Sequence, residues 1–320
     1  MTPSRRDIFH AALAAGTAAT LAHGADRPAP KRSKMKKSIN LWAFPYPGKW
    51  TLRQCLQLAK DAGFDGIELN YDLESDLSPK AGPKEFAAIK TMAADIGIAV
   101  SGLCSFLFWP YSLTSNKPAE RERGLELAGK MLEAAAELGT PNLLVVPGAV
   151  SIPWIKGHDP VALADCDKRA REAVAKMVPR AEKLGVSLNI ENIFFNGYLL
   201  SPRDMIEFVD SFKSKAVRVH FDTGNIALFQ QPTDWIAALG KRIANVHLKE
   251  FDRNGTDHSL ASFRPLLDGT TDWPAVLAAF DRVGYEGWLT FEYFHPYAHH
   301  PEALIHHTSD SLDRLLGRKR

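Results

Sequence analysis

Hydrophobic positions in the chain come in two alternating rhythms. Short continuous apolar runs, of the kind buried on both faces, predict strands at Ile39–Ala43, Ile67–Asn70, Ile98–Cys104, Asn142–Pro147, Val186–Asn192, Val217–Asp222, Ile243–Lys249 and Trp288–Phe294. Longer amphipathic stretches between them predict helices at Thr51–Ala62, Pro83–Ile96, Pro118–Leu138, Asp165–Leu184, Ser201–Phe212, Thr233–Leu239, Asp272–Val283 and Glu302–Leu316. Proline opens several of these helices. Gly63, Gly97, Gly139 and Gly185 close four of them, as left-handed caps do just before a new strand. Eight strand–helix alternations of this regularity imply parallel βαβ units closed into a single (β/α)8 barrel. The first strand is followed by no glycine-rich phosphate loop, which weakens an open nucleotide-binding sheet. No second domain is apparent.

The first 25 residues differ from the rest. Arg5 and Arg6 precede the small, alanine-rich apolar run Ala11–Ala22, which is too short to cross a bilayer. Residues 1–25 therefore read as a twin-arginine signal peptide and residues 26–36 as a linker, with residues 37–320 forming the catalytic barrel. Export to the periplasm by the twin-arginine route is the expectation, with no membrane association after cleavage. A start at Met35 is the plain alternative.

Composition changes this picture little. The 320 residues are 45% hydrophobic and 24% charged, with a formal net charge of +2. Basic residues are spread along the chain, which gives no support for a nucleic-acid surface. Cys55, Cys104 and Cys166 are too few and odd in number for a disulfide framework, so each reads as a buried thiol.

Four of the strand-like runs end in metal-binding residues: Glu191, Asp222, His247 and Glu292. A parallel barrel directs the C-terminal ends of its strands to one mouth, so the four would meet there. Three carboxylates and an imidazole suit a divalent cation such as Mn²⁺, Mg²⁺ or Co²⁺. Each residue also has a plainer account. Glu191 could be salt-bridged at a strand exit, Asp222 could form a turn with Gly224, and His247 could be a satisfied core residue. Equivalent placement at four strand ends weighs against four separate coincidences.

Glu191–Asn192 after strand five, His220-x-Asp222–Thr223 after strand six, the stretch from His247 to Arg253 after strand seven and Phe291–Glu292 after strand eight resemble the sugar isomerase/epimerase superfamily of xylose isomerase-like TIM barrels. The stretches Lys37–Pro45 and Ala62–Leu69 are similar to its pentulose-phosphate epimerase branch. The resemblance implies one divalent metal, usually Mn²⁺, with Zn²⁺ also admissible, held by Glu191, Asp222, His247 and Glu292. It implies that Glu191 and Glu292 act as an acid/base pair on a small sugar, passing a proton beside the ketone through a cis-enediolate. It places Arg253 on a substrate hydroxyl and Phe294 in the pocket wall. Trp42, Phe106 and Trp109 follow early strands and could wall the pocket or pack the core. Glu68 ends strand two and could hydrogen-bond in the pocket or pair with a neighbour. Asn225 stands where the free-ketose epimerases often carry a histidine, and Phe195–Gly197 stands where they carry a second glutamate. His295, His299 and His300 read as loop.

The expected activity is thus a metal-dependent ketose epimerase or isomerase. Export disfavours a phosphorylated substrate. An alternative uses the same site for elimination from 3-keto-glycosides. An apurinic endonuclease would need further histidines on strands one to four, which are missing. A dead sugar-binding module would not need all four ligands. By analogy with such barrels, the chain could assemble as a homo-oligomer.

Overall fold

The barrel is closed by strand pairing alone. The computed structural model describes residues 34–255 and 259–318. Its parallel strands are β1 (Lys36–Asn40), β2 (Gly66–Asn70), β3 (Ala99–Cys104), β4 (Asn142–Val145), β5 (Ser187–Glu191), β6 (Val217–Asp222), β7 (Ile243–Leu248) and β10 (Trp288–Phe291). They close in the order β1-β10-β7-β6-β5-β4-β3-β2. The helices are α1 (Leu52–Asp61), α2 (Pro83–Ile96), α3 (Pro118–Leu138), α4 (Leu163–Leu184), α5 (Pro202–Ser211), α6 (Pro232–Leu239), α7 (Trp273–Arg282) and α8 (Pro301–Leu315). One follows each barrel strand, as the alternation of hydrophobic patterns requires.

Local chemistry sets the helix ends. Thr51 and Gln54 form a reciprocal capping box at the start of α1. Gly97 and Gly185 end α2 and α4 at φ 77° and 66°, where a side chain would be strained. At the seam, the buried Lys37 ammonium on β1 lies 2.7 Å from Asp313 on α8 and donates to Ser309 Oγ.

Several element boundaries differ from the sequence reading by one to three residues, most at β1 and at the end of β10. β1 begins three residues earlier than Ile39. Met35 is fully buried and Lys36 opens β1, so the barrel begins inside the segment assigned to the linker. Burial decides this, which a basic, proline-containing composition hides. The signal peptide expected over residues 1–25 lies outside the described residues. No helix among the described residues is long and apolar enough to cross a membrane.

A short antiparallel pair, β8 (Glu250–Phe251) with β9 (Phe263–Arg264), interrupts the alternation after β7. Buried Glu250 pins the following loop by accepting from Trp273 Nε1 at 2.5 Å and from the Leu267 and Thr271 amides. The pair carries Phe263 to the rim of the barrel mouth, where the candidate site lies.

Candidate metal and active site

Register brings the four ligand candidates together. Asp222 on β6 pairs with His247 on β7, and His247 pairs with Thr290 on β10. Glu292 lies two residues after Thr290 and so faces the same way. Glu191 ends β5. One donor atom from each of Glu191, Asp222, His247 and Glu292 lies within 4.8 Å of all the others. All four residues are buried. His247 Nδ1 is 3.2 Å from Glu292 Oε2, 3.6 Å from Glu191 Oε1 and 3.9 Å from Asp222 Oδ2.

The surrounding hydrogen bonds aim these atoms inward. Asp222 Oδ1 accepts from the Gly224 and Asn225 amides at 2.8 and 2.9 Å, while its main chain is tied to the Asn192 side chain. The turn role and the ligand role of Asp222 therefore coexist, one on each oxygen. His247 Nε2 lies 2.6 Å from Glu68 Oε2, which also accepts from Asn40 Nδ2. An acceptor there holds a ring proton on Nε2 and turns Nδ1, the nitrogen a cation would take, toward the carboxylates. Asp222 Oδ2, His247 Nδ1 and Glu292 Oε2 are buried and make no hydrogen bond. Native interiors rarely leave such atoms unsatisfied. Three ligand atoms converging on one point without a hydrogen bond, two of them beside an ammonium, in a set of three carboxylates and one imidazole, fit a divalent cation.

Lys249 was not foreseen as part of this cluster. Its buried ammonium lies 2.5 Å from Glu292 Oε2 and 2.9 Å from Asp222 Oδ2, outside hydrogen-bond alignment. Burial alone would lower its pKa, but Asp222 and Glu292 raise it above the ordinary lysine range. Burial likewise disfavours a charged His247, yet Glu292 and Glu68 push it well above the usual imidazole value. The two glutamates are driven apart. Burial, with Glu292 beside it, pushes Glu191 up to about 7 against the pull of His247. Burial also acts to raise Glu292, but His247 and Lys249 hold it well below the usual carboxylate range. Paired carboxyls with opposed shifts can take separate acid and base roles.

A cavity of about 410 Å³ opens above the cluster. Glu191 and Glu292 line it, with Lys249, Asn225, Trp42, Phe294, Phe106 and Trp109. Trp154, in the loop between β4 and α4, and Phe263, on the two-residue β9, also line it and went unnoticed in the sequence, because neither directly follows a barrel strand.

Two expected substrate contacts are corrected. Glu68 is fully buried behind His247 and does not line the cavity. The neighbouring strand β3 carries Gly102 in register with Glu68, where a Cβ would fall 2.8 Å from Glu68 Oε1, so glycine leaves room for this carboxylate. Arg253 lines a different cavity and donates to the Ala227 and Gln230 carbonyls at 2.5 and 2.8 Å. The chain turns into β8 just after Lys249, and this carries Arg253 away from the mouth. His295 lines the cavity, whereas His299 and His300 do not. His220, inward-facing below Asp222, is buried with both ring nitrogens unpartnered and its ring centroid 4.1 Å from that of His247.

Known proteins resemble this chain in sequence and fold. A ketose 3-epimerase of Arthrobacter globiformis is 23% identical over 250 residues, 76% of this chain and 78% of its own length. A putative L-ribulose-5-phosphate 3-epimerase of Escherichia coli K12, SgbU, is 25% identical over 74% of this chain and 82% of its own. A crystal structure of D-psicose 3-epimerase in the presence of D-fructose superposes with a TM-score of 0.73 at 20% identity, covering 88% of this chain and all of the other. The xylose isomerase-like TIM barrel model matches residues 56–315. The chain belongs to the xylose isomerase-like TIM barrel family.

Proposed function

We propose that the protein is a divalent-metal-dependent ketose epimerase that moves a proton on the carbon beside a sugar ketone. The observation that carries this reading is the placement of Glu191 and Glu292. Both line the cavity, and both belong to a four-donor cluster whose other members, Asp222 and His247, lie beneath. The 3-epimerase names of the relatives agree with it.

Glu191, Asp222, His247 and Glu292 would hold the cation, with Mn²⁺ the preferred candidate. A bound divalent cation supplies Lewis acidity, polarising the ketone so that the neighbouring C–H becomes acidic. The chain's own residues do the proton work. One of Glu191 and Glu292 accepts the proton, and the other returns one from the opposite side of the substrate. Two carboxyls with separated affinities for the proton permit delivery to the opposite face, which inverts the carbon. The Lys249 ammonium, at the cavity floor, adds positive charge where the oxyanion develops.

Incubation with Mn²⁺ and a panel of ketoses in D₂O, followed by NMR, tests this reading. Deuterium should enter beside the carbonyl, and Glu191→Gln and Glu292→Gln should each slow entry by about 10²–10⁴-fold. Absence of exchange with every ketose and keto-glycoside would sink it.

A further inference from the structure

The cavity is far more aromatic than proton transfer requires. Five rings form a continuous row. Phe294, two residues past Glu292, lies 5.2 Å from Trp42 between centroids; Trp42 lies 6.4 Å from Phe106; Phe106 lies 6.5 Å from Trp109; and Trp109 meets Trp154 edge-on at 4.8 Å. The row starts beside the reacting carboxylates and crosses the loops that follow β10, β1, β3 and β4. All five residues line the cavity, with Phe194 and Phe263 among the other residues lining it. Phe106 is 49% exposed and Phe294 38% exposed, so these rings face open space rather than the core. One such ring suffices to stack on the C–H face of a sugar. A row of five provides a surface for something longer and apolar.

Charge points the same way. Among the described lining residues, Lys249 is the one lysine or arginine, and it is committed to Asp222 and Glu292. Uncommitted cationic donors favour recognition of a sugar phosphate, and none is found among these residues. Arg253, the nearest arginine in sequence, spends its guanidinium on backbone carbonyls.

Taking the epimerase reading as its basis, we propose that the substrate is an uncharged keto-sugar bearing an apolar, aryl-sized substituent. The sugar ketone lies between Glu191 and Glu292, and the substituent lies along the row from Trp42 to Trp154. A free ketose leaves most of that row in water, and a phosphorylated one has no partner for its charge.

The full chain loaded with Mn²⁺ is compared on three probes: the phenyl and methyl glycosides of one 3-keto-hexopyranose, and a ketose phosphate. Two readouts are taken, tryptophan fluorescence quenching for binding and deuterium entry beside the ketone for turnover. The phenyl probe should bind at least about tenfold more tightly than the methyl probe. Trp109→Ala and Trp154→Ala should each shrink that gap to about twofold or less. Equal binding of phenyl and methyl probes by the unaltered protein, or preference for the phosphate, overturns the proposal. If deuterium enters all probes with no aryl preference, only the substrate class fails. If the phenyl probe binds preferentially and no probe exchanges, the substrate class stands and the epimerase reading fails.

Discussion

Removing the Glu68 carboxylate should weaken cation binding although Glu68 is not itself one of the four ligands. Its Oε2 lies 2.6 Å from His247 Nε2, and both side chains are sealed from solvent. The contact fixes which nitrogen carries the ring proton. In Glu68→Ala the Nε2–H group loses its acceptor and Asn40 Nδ2 keeps only Cys104 Sγ, at 3.2 Å. The ring is then free to rotate or to change tautomer, and Nδ1 no longer presents its lone pair by default. Loss of such an outer contact typically lowers metal affinity about 10–100-fold, roughly 1.4–2.7 kcal/mol. Linkage turns this into a thermal signal. At a cation concentration 100 times the original Kd, binding stabilises the fold by about 2.7 kcal/mol; after a 100-fold loss of affinity, only about 0.4 kcal/mol remains. Glu68→Gln keeps an acceptor of the same shape and should fall between the two. The assay is Mn²⁺ titration calorimetry, with Tm measured with and without chelator. A Glu68→Ala protein that is folded by circular dichroism yet binds Mn²⁺ within about twofold of the original would refute the reasoning.

Two further outcomes follow from the cluster and the seam. Because neighbouring carboxylates raise the His247 pKa well above the ordinary range, a cation must displace a proton from that ring, so affinity should climb with pH and protons should be released on binding. Calorimetry in buffers of differing ionisation enthalpy measures this release, and heats independent of buffer would contradict it. Asp313→Ala strands the buried Lys37 ammonium and should cost about 3–5 kcal/mol, read as a lower urea midpoint; an unchanged midpoint would show that Ser309 alone satisfies that charge.

The barrel and its ligand set were legible because both rest on strand periodicity. Buried parallel strands are continuous apolar runs, and a charged residue at the end of such a run is a conspicuous cost that invites a reason. Lys249 was harder to see. It closes the run Ile243–Lys249, two residues after His247 on the same face, but a lysine at a strand exit next to Glu250 reads as an ordinary solvated charge. The polar alternations His220/Asp222 and His247/Lys249 were the available signals for the residues missed here. Glu68 took the second course open to it, pairing with a neighbour, and Arg253 lies away from the cavity. Strand-end position marks the mouth, but only side-chain packing says whether a group faces the cavity or backs a ligand. The β8–β9 pair that redirects Arg253 is built from two-residue strands, too short for any periodic trace.

The position of the Lys249 ammonium separates folding from ion uptake. It rests against two of the same oxygens a cation would engage, and so offsets their repulsion from within the polypeptide. Chelation should therefore silence the chemistry without collapsing the barrel, unlike small domains that exist only with their ion. The incoming ion meets a finished receptacle in which one positive group is already seated beside two of its oxygens.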